Sequence, residues 1–569
     1  MDLRGLESSP FIALLDSNYV ATDAEALQIQ DILKEPTSRL QELSTRLKEL
    51  DEQYAQIRNE QSSLLLSVTK HRALISQVRK LPVDILQEIF FACLPTSHNS
   101  VMSKREPPIL LTQICSSWRT IAHTTPQLWK SIHIAVPCNN PGMYESPNFQ
   151  SMVQQVAHRR SEAVLEWIHR SASCPLDISL NQWESSPSDG FYDTIMEHLI
   201  QFSERWRNVS FSAPFQALQL VAALPSSKLP LLESFFLSCG RLHFSPVSLP
   251  PHLDRQNLWS ASGIMQAPNL REICLTQLNE DVTSLPINWS KLTKFSLQGT
   301  SWGTSPPFTV SRAYKILSSC RDLISCRLEI GVRPDSQPPS FRVDSNSTVI
   351  SLPFLTKLSI RAGANLSNLF TLLHLPSLTH LEFQTTIWPT HERNTNLILL
   401  LTHSQCIIQH LTTDAQFFKR QDFITCLKLC PRLKSLSIRQ SIAPRTPPWP
   451  QADLPATCTI DDEILQMFSS SSFESCLCPN LENLNISSSD SFSETTLLQF
   501  IKAKNGDPVT PGLAKLKVVS VAFHRRQITD INPQLEPYRQ AGLVVNIAYP
   551  TMHFNPFSAF DGLPPTATH

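Results

Sequence analysis

Gly299-Thr300-Ser301-Trp302-Gly303 carries the spacing G-x-S-x-G, which in hydrolases lifts a nucleophilic serine on a sharp turn between a strand and a helix. Residues 292–297 can supply the strand, but Ser305-Pro306-Pro307 obstructs the helix, and no ordered Asp and His partners accompany Ser301. The stretch therefore reads as a turn between repeats, and no catalytic residue is expected. Cys426 with Cys430 and Cys476 with Cys478 are spaced closely enough for a zinc site. Cys320, Cys430 and Cys478, however, each stand three residues before a repeating leucine, the position of a small buried hydrophobe. None of the 17 histidines forms an H-x-x-x-H pair, and neither G-x-x-x-x-G-K-S/T nor G-x-G-x-x-G occurs. No metal or cofactor is expected.

Composition narrows the partners. Lys and Arg number 48 against 49 Asp and Glu, so the net charge is -1 and no basic field attracts nucleic acid or an anionic membrane. No window reaches the length of apolar sequence a spanning helix needs, and the first twenty residues lack a secretory signal. A soluble protein of the cytoplasm, the nucleus or both is expected, its 14 cysteines held as thiols. With 43 prolines and 13 glycines, the chain should consist of many short elements joined by stiff turns.

A search for the elements that position function begins at the N-terminus. Residues 1–37 read as a lead-in with a short helix over 24–34, capped by Thr22 and Glu25 and ended by Pro36. Over residues 38–80, Leu40, Leu47, Tyr54, Gln61, Val68 and Ile75 lie seven apart, as do Leu43, Leu50, Ile57, Leu64, His71 and Val78. Ten of these twelve positions are apolar, which predicts a heptad helix on the order of 60 Å long. Its seam is satisfied either by a homodimeric coiled coil through 38–80 or by a hairpin against 24–34 and the module that follows.

That module spans 81–134, reading LPVDILQEIFFACLP, a polar loop, then PPILLTQICSSWRTIAHTTPQLWKSIHI, with apolar positions for three short helices. The spelling LP-x-D-IL-x-EIF, I-C-x-x-W-R-x-I-A and T-P-x-LW resembles an F-box of the type common among fungal F-box-like proteins. The resemblance covers roughly a tenth of the chain. It implies docking onto the Skp adaptor of a cullin ubiquitin ligase core, with Leu81, Pro82, Ile85, Ile89, Ile114 and Trp118 as adaptor-binding residues. A linking helix and strand follow over 135–204.

Residues 205–552 hold an irregular repeat: an anchor leucine, then apolar residues three and five positions on. The anchors are Leu232, Leu270, Leu292, Leu323, Leu355, Leu378, Leu433, Leu481 and Leu516, with weaker copies around Val209 and Leu411. Apolar residues two apart face one side of a short strand, and stacked copies bury a continuous core with return helices, read here at RAYKILSS, LSNLFTLL, TNLILLLTH, DEILQMF and ETTLLQFIKAK. The copies resemble leucine-rich repeats, but their spacing varies from 22 to 55 residues and the usual asparagine or cysteine after the strand is missing. Insertions are expected near 331–351 and 441–459, and a tail over 553–569.

The fold class expected is thus α/β: a coiled-coil-like helix and a three-helix F-box module, then an irregular leucine-rich-repeat-like α/β solenoid. Positions two and four past each anchor would line its concave face, with Glu329 and Arg361 one strand step further, gathering Lys294, Arg327, Glu329, Lys357, Arg361, His380 and Glu382 as a target-binding surface. The function expected is that of a non-catalytic substrate receptor in an SCF-type ligase, recruiting a protein target. The alternative is a repeat scaffold for protein–protein interaction with no ligase role.

Overall fold

The computed structural model describes residues 9–549, apart from 16, 137–146, 183–190, 215–217, 241–257, 279, 300–307, 332–347, 364, 386–395, 416–417, 440–457, 470–475, 490 and 507–512. The chain divides into two compact units, Met1–Ile89 and Phe90–His569. Ser301, most of both expected insertions and the tail lie outside the described residues.

The first unit is built on one α-helix, Asp23–Leu74, of 52 residues. At 1.5 Å per residue it is about 80 Å long. Glu25 accepts the Thr22 N–H at 2.8 Å, and Asp23 and Glu25 place negative charge on the first turn. Pro36 does not end a helix here; it lies inside this one. An interior proline forfeits a hydrogen bond and costs ~3 kcal/mol, a penalty met by strong helix formers on both sides, Lys34-Glu35 and Leu40-Gln41-Glu42-Leu43. Residues 24–34 therefore continue the heptad rod and do not fold back on it. The rod stops at Leu74, short of the expected 80, and a 3-10 turn, Gln77–Lys80, leads to the helix Val83–Ala92. Pro82 precedes that helix and its carbonyl accepts the Leu86 N–H at 3.1 Å, while Asp84 sits in the first turn.

The second unit is organised by a parallel sheet of fourteen strands, from Ser131–Val136 to Val544–Ala548. Strand order follows chain order throughout; the two-residue strands Ile350–Ser351 and Leu373–His374 stand apart as a second, small sheet. Its cause is the repeat. All nine anchor leucines are buried, and so is every residue three and five positions beyond them. These residues pair across the sheet in register: Phe235 with Ile273, then Phe295, Cys326, Leu358, Leu381, Leu411, Leu436, Leu484 and Val519. The weak copies around Val209 and Leu411 are strands of the same sheet.

Just ahead of each strand, the residue after the anchor ties successive copies together. The Thr293 N–H donates to the Arg271 carbonyl, Ile324 to Thr293, Thr356 to Ile324, Thr379 to Thr356, Gln409 to Thr379, Lys434 to Gln409 and Glu482 to Lys434, all at 2.7–3.0 Å. Side chains just before the anchors add to these ties. Asn269 and Asn480 donate to the Pro230 and Pro431 carbonyls of the preceding copy at 2.7 and 3.0 Å, and Lys291 donates to Pro268 at 3.1 Å.

Connections differ along the array. In the first half they include 3-10 turns such as Ser226–Lys228, Gly263–Gln266, Val282–Ser284 and Trp289–Lys291. From Val310–Ser319 onward they include α-helices, among them Asn396–Ser404, Arg420–Lys428, Asp462–Met467 and Glu494–Asn505, while the described part of the connection between Ser325–Ile330 and Lys357–Ala362 holds the short strand Ile350–Ser351. Four of these five carry apolar runs read as return helices in the sequence; Arg420–Lys428 does not.

Candidate functional site

Two surfaces bear the residues that sequence reasoning selected. The first is the helix Val83–Ala92, a ten-residue element with apolar residues on more than one side. Leu86 and Phe90 are buried, yet Val83, Ile85 and Ile89 remain 55%, 45% and 37% exposed. A helix that only had to cover a core would carry polar residues at those positions. Leu81 is half-buried and Pro82 exposed.

Within the second unit, the rest of the module is fused to the start of the sheet. A 3-10 turn, Leu110–Gln113, leads into the helix Ser116–His123, whose N-cap is Cys115, and Pro126–Trp129 forms a further 3-10 turn. Trp118 is half-buried with its ring 4.8 Å from Phe90, so it serves packing at least in part, whereas Ile114 is 56% exposed. Trp129 is fully buried: its indole N–H donates to the Ala122 carbonyl at 2.8 Å, Trp167 meets it edge-on at 4.8 Å, and the Arg170 guanidinium lies 4.6 Å above it. The loop before these turns is zipped to the first strand by a Val101–His133 bridge and a 2.9 Å bond from Ser131 to Asn99.

The second surface is the solvent-facing side of the strands. Strand pairing aligns Lys294, Ser325, Lys357, His380, His410 and Ser435 in one lateral row, and Ser296, Arg327, Ser359, Glu382, Thr412 and Ser437 in the next. Glu382 is the hub. Arg327 and Arg439 each approach its carboxylate at 3.6 Å, Ser359 donates to it at 2.9 Å, and Gln384 at 2.8 Å. Arg361 in turn donates to Gln384 at 3.2 Å. The His380 and His410 rings stack at 4.1 Å; burial lowers the pKa of both, helped by Lys357 beside the pair and, for His410, by Lys434. Both imidazoles are thus held toward the neutral form while the arginines and Lys357 keep the patch cationic.

Two expected members of this surface are otherwise engaged. Glu329 is 8% exposed and accepts the Gly299 N–H at 2.6 Å, so it braces a turn where a positive φ of 73° favours glycine; it is not part of the open face. Lys294 is spent in part on Glu272, 2.6 Å away. Sequence reasoning in turn passed over Gln384, His410 and Arg439. The same alternation would have found them, had it been carried six residues past every anchor and applied to the weak copy at Leu411.

No family model matches the chain, and no curated protein matches it.

Among the described residues no group of three or more His, Cys, Asp or Glu could hold a metal, and no helix is long and apolar enough to cross a membrane. Cys320, Cys430 and Cys478 are buried, and burial pushes the Cys320 and Cys430 thiols up to about 12, the state of an inert core side chain. The first surface offers apolar contact, the second charge and hydrogen bonding.

Proposed function

We propose that this chain is a non-catalytic substrate receptor of an SCF-type cullin ubiquitin ligase, whose F-box-like segment docks on the Skp adaptor and whose sheet face recruits a protein target. The observation that carries the reading is the second apolar face of the helix Val83–Ala92. Ile85 and Ile89, four apart, stand open to solvent on a helix that already buries Leu86 and Phe90. Ile114 adds exposed apolar area in the second unit. The fourteen parallel strands, taken with their in-register anchors, are read as an irregular leucine-rich-repeat-like solenoid presenting the Arg327, Lys357, Arg361, His380 and Glu382 patch. The receptor makes and breaks no bonds; it raises the local concentration of its target beside a conjugating enzyme.

Co-purification with the adaptor tests this. The intact protein should retain the adaptor, and Ile85→Asp with Ile89→Asp should abolish retention while leaving the thermal unfolding of the second unit in place. Failure of the intact protein to hold the adaptor would favour the scaffold reading.

A further inference from the structure

The seam of the long helix is uncovered. Leu40, Leu43, Leu47, Leu50, Tyr54, Ile57, Leu64 and Val68 are each between 44% and 66% exposed along a single rod. Because Pro36 does not break the rod, the same seven-residue register runs back through Leu33 and Ile29, and the hairpin that could have covered the seam is absent. A shallow groove along the rod is lined by Ile57, Gln61, Leu64 and Val68 on the seam, flanked by Glu60, Leu65 and Arg72. That is the hole into which a partner helix inserts a side chain in knobs-into-holes packing.

We propose that the groove is filled by a second copy of this chain, in a parallel, in-register two-stranded coiled coil over the helix Asp23–Leu74. Three observations select this occupant. The seam has two polar members, Gln61 and His71. In a parallel pair each meets its own equivalent and can hydrogen-bond across the axis; in the antiparallel pair centred on the same seam, Gln61 would face Leu50 and His71 would face Leu40, so the Gln61 amide would meet only apolar surface and the His71 ring, whose Nδ1 bonds the Ser67 carbonyl at 2.8 Å, would find no partner across the axis for Nε2. The flanking charges agree, since Arg46 falls opposite the partner's Asp51 in the parallel register, and no like-charged pair arises at the equivalent positions from Arg39 to Arg72. The area is also adequate: four interface positions in each of about five heptads give about 20 residues a side, the scale of a stable, specific interface. Two linked copies would present two target-binding faces and two adaptor-binding helices, so a target with two recognition segments would be held by avidity. The dimer rests on the first unit alone, and adaptor capture could fail without touching it.

Sedimentation of the full chain at micromolar concentration should give a species of twice the 64.1 kDa chain mass. Replacing Leu50, Ile57 and Leu64 with Glu should weaken self-association by roughly 100-fold or more, with the thermal unfolding of the second unit unchanged. Leu43→Cys, which leaves the fold intact, should cross-link into a covalent dimer on mild oxidation faster than the wild-type chain, because only the parallel register brings the two positions together. A monomeric wild type, a dimer indifferent to the triple substitution, capture of a different protein by the seam, or a Leu43→Cys chain that does not cross-link would each overturn the proposal.

Discussion

The long helix and the parallel sheet are both written in regular apolar periods, and they end in opposite states. In the sheet, the residues at the anchor and at three and five positions beyond it are buried in all nine clear copies. In the helix, the apolar seam residues from Leu40 to Val68 stay exposed. A strand period is completed by the next copy of the same chain segment, because each strand pairs with its successor. A heptad period is completed only by another helix, and this rod offers itself none. Periodicity thus predicts that a face will be covered, and topology decides whether the cover comes from within.

Substitutions can break this comparison. The largest effect is expected at the C-terminal end of the sheet, where Glu494 is 1% exposed and Arg525 meets its carboxylate at 2.7 Å. Arg525→Ala strands that charge and should lower the unfolding free energy of the second unit by about 3–5 kcal/mol in urea titration. The pH dependence follows. Burial raises the Glu494 pKa, but the Arg525 guanidinium and the Ile528 N–H outweigh it and hold the carboxyl below its ordinary value. Its contribution is therefore present above the unfolded carboxylate range and is lost as pH falls through the lowered folded value; the Arg525→Ala chain should show less of that acid-side loss. Next in size, Leu378→Ala removes a fully buried anchor and should cost about 2–5 kcal/mol in the same titration. Smallest of all, Ile57→Ala deletes a similar side chain that is 66% exposed on the helix, and should shift the second unit's unfolding by no more than about 0.5 kcal/mol. An Ile57→Ala effect as large as that of Leu378→Ala would mean that the two periods are not independent.

The anchors were legible because L-x-x-L-x-L fixes three buried positions at short range, whatever length separates the copies. With the strand at Leu411 counted as a copy of its own, spacing from 22 to 48 residues changes the connections and leaves the strand register untouched. Return helices were legible where apolar runs were dense, as at Asn396–Ser404, and missed at Arg420–Lys428, where polar residues interrupt the pattern. The small sheet of Ile350–Ser351 and Leu373–His374 carries too few residues to show any period. Pro36 misled because a local rule for ending helices was outweighed by good helix formers on both sides. In the candidate site, Lys357, Arg361 and Glu382 followed from alternation alone. That Glu382 would gather two arginines, and that Glu329 would be turned onto Gly299, depended on cross-strand neighbours the linear sequence does not specify.

The strictly sequential strand order also bears on how the chain is made. Each strand's partner is the one synthesised just before it, so a nascent chain emerging strand by strand already holds the template edge for the next segment. Loop closures stay short in sequence, and the sheet can lengthen one strand at a time during translation without waiting for the C-terminal residues.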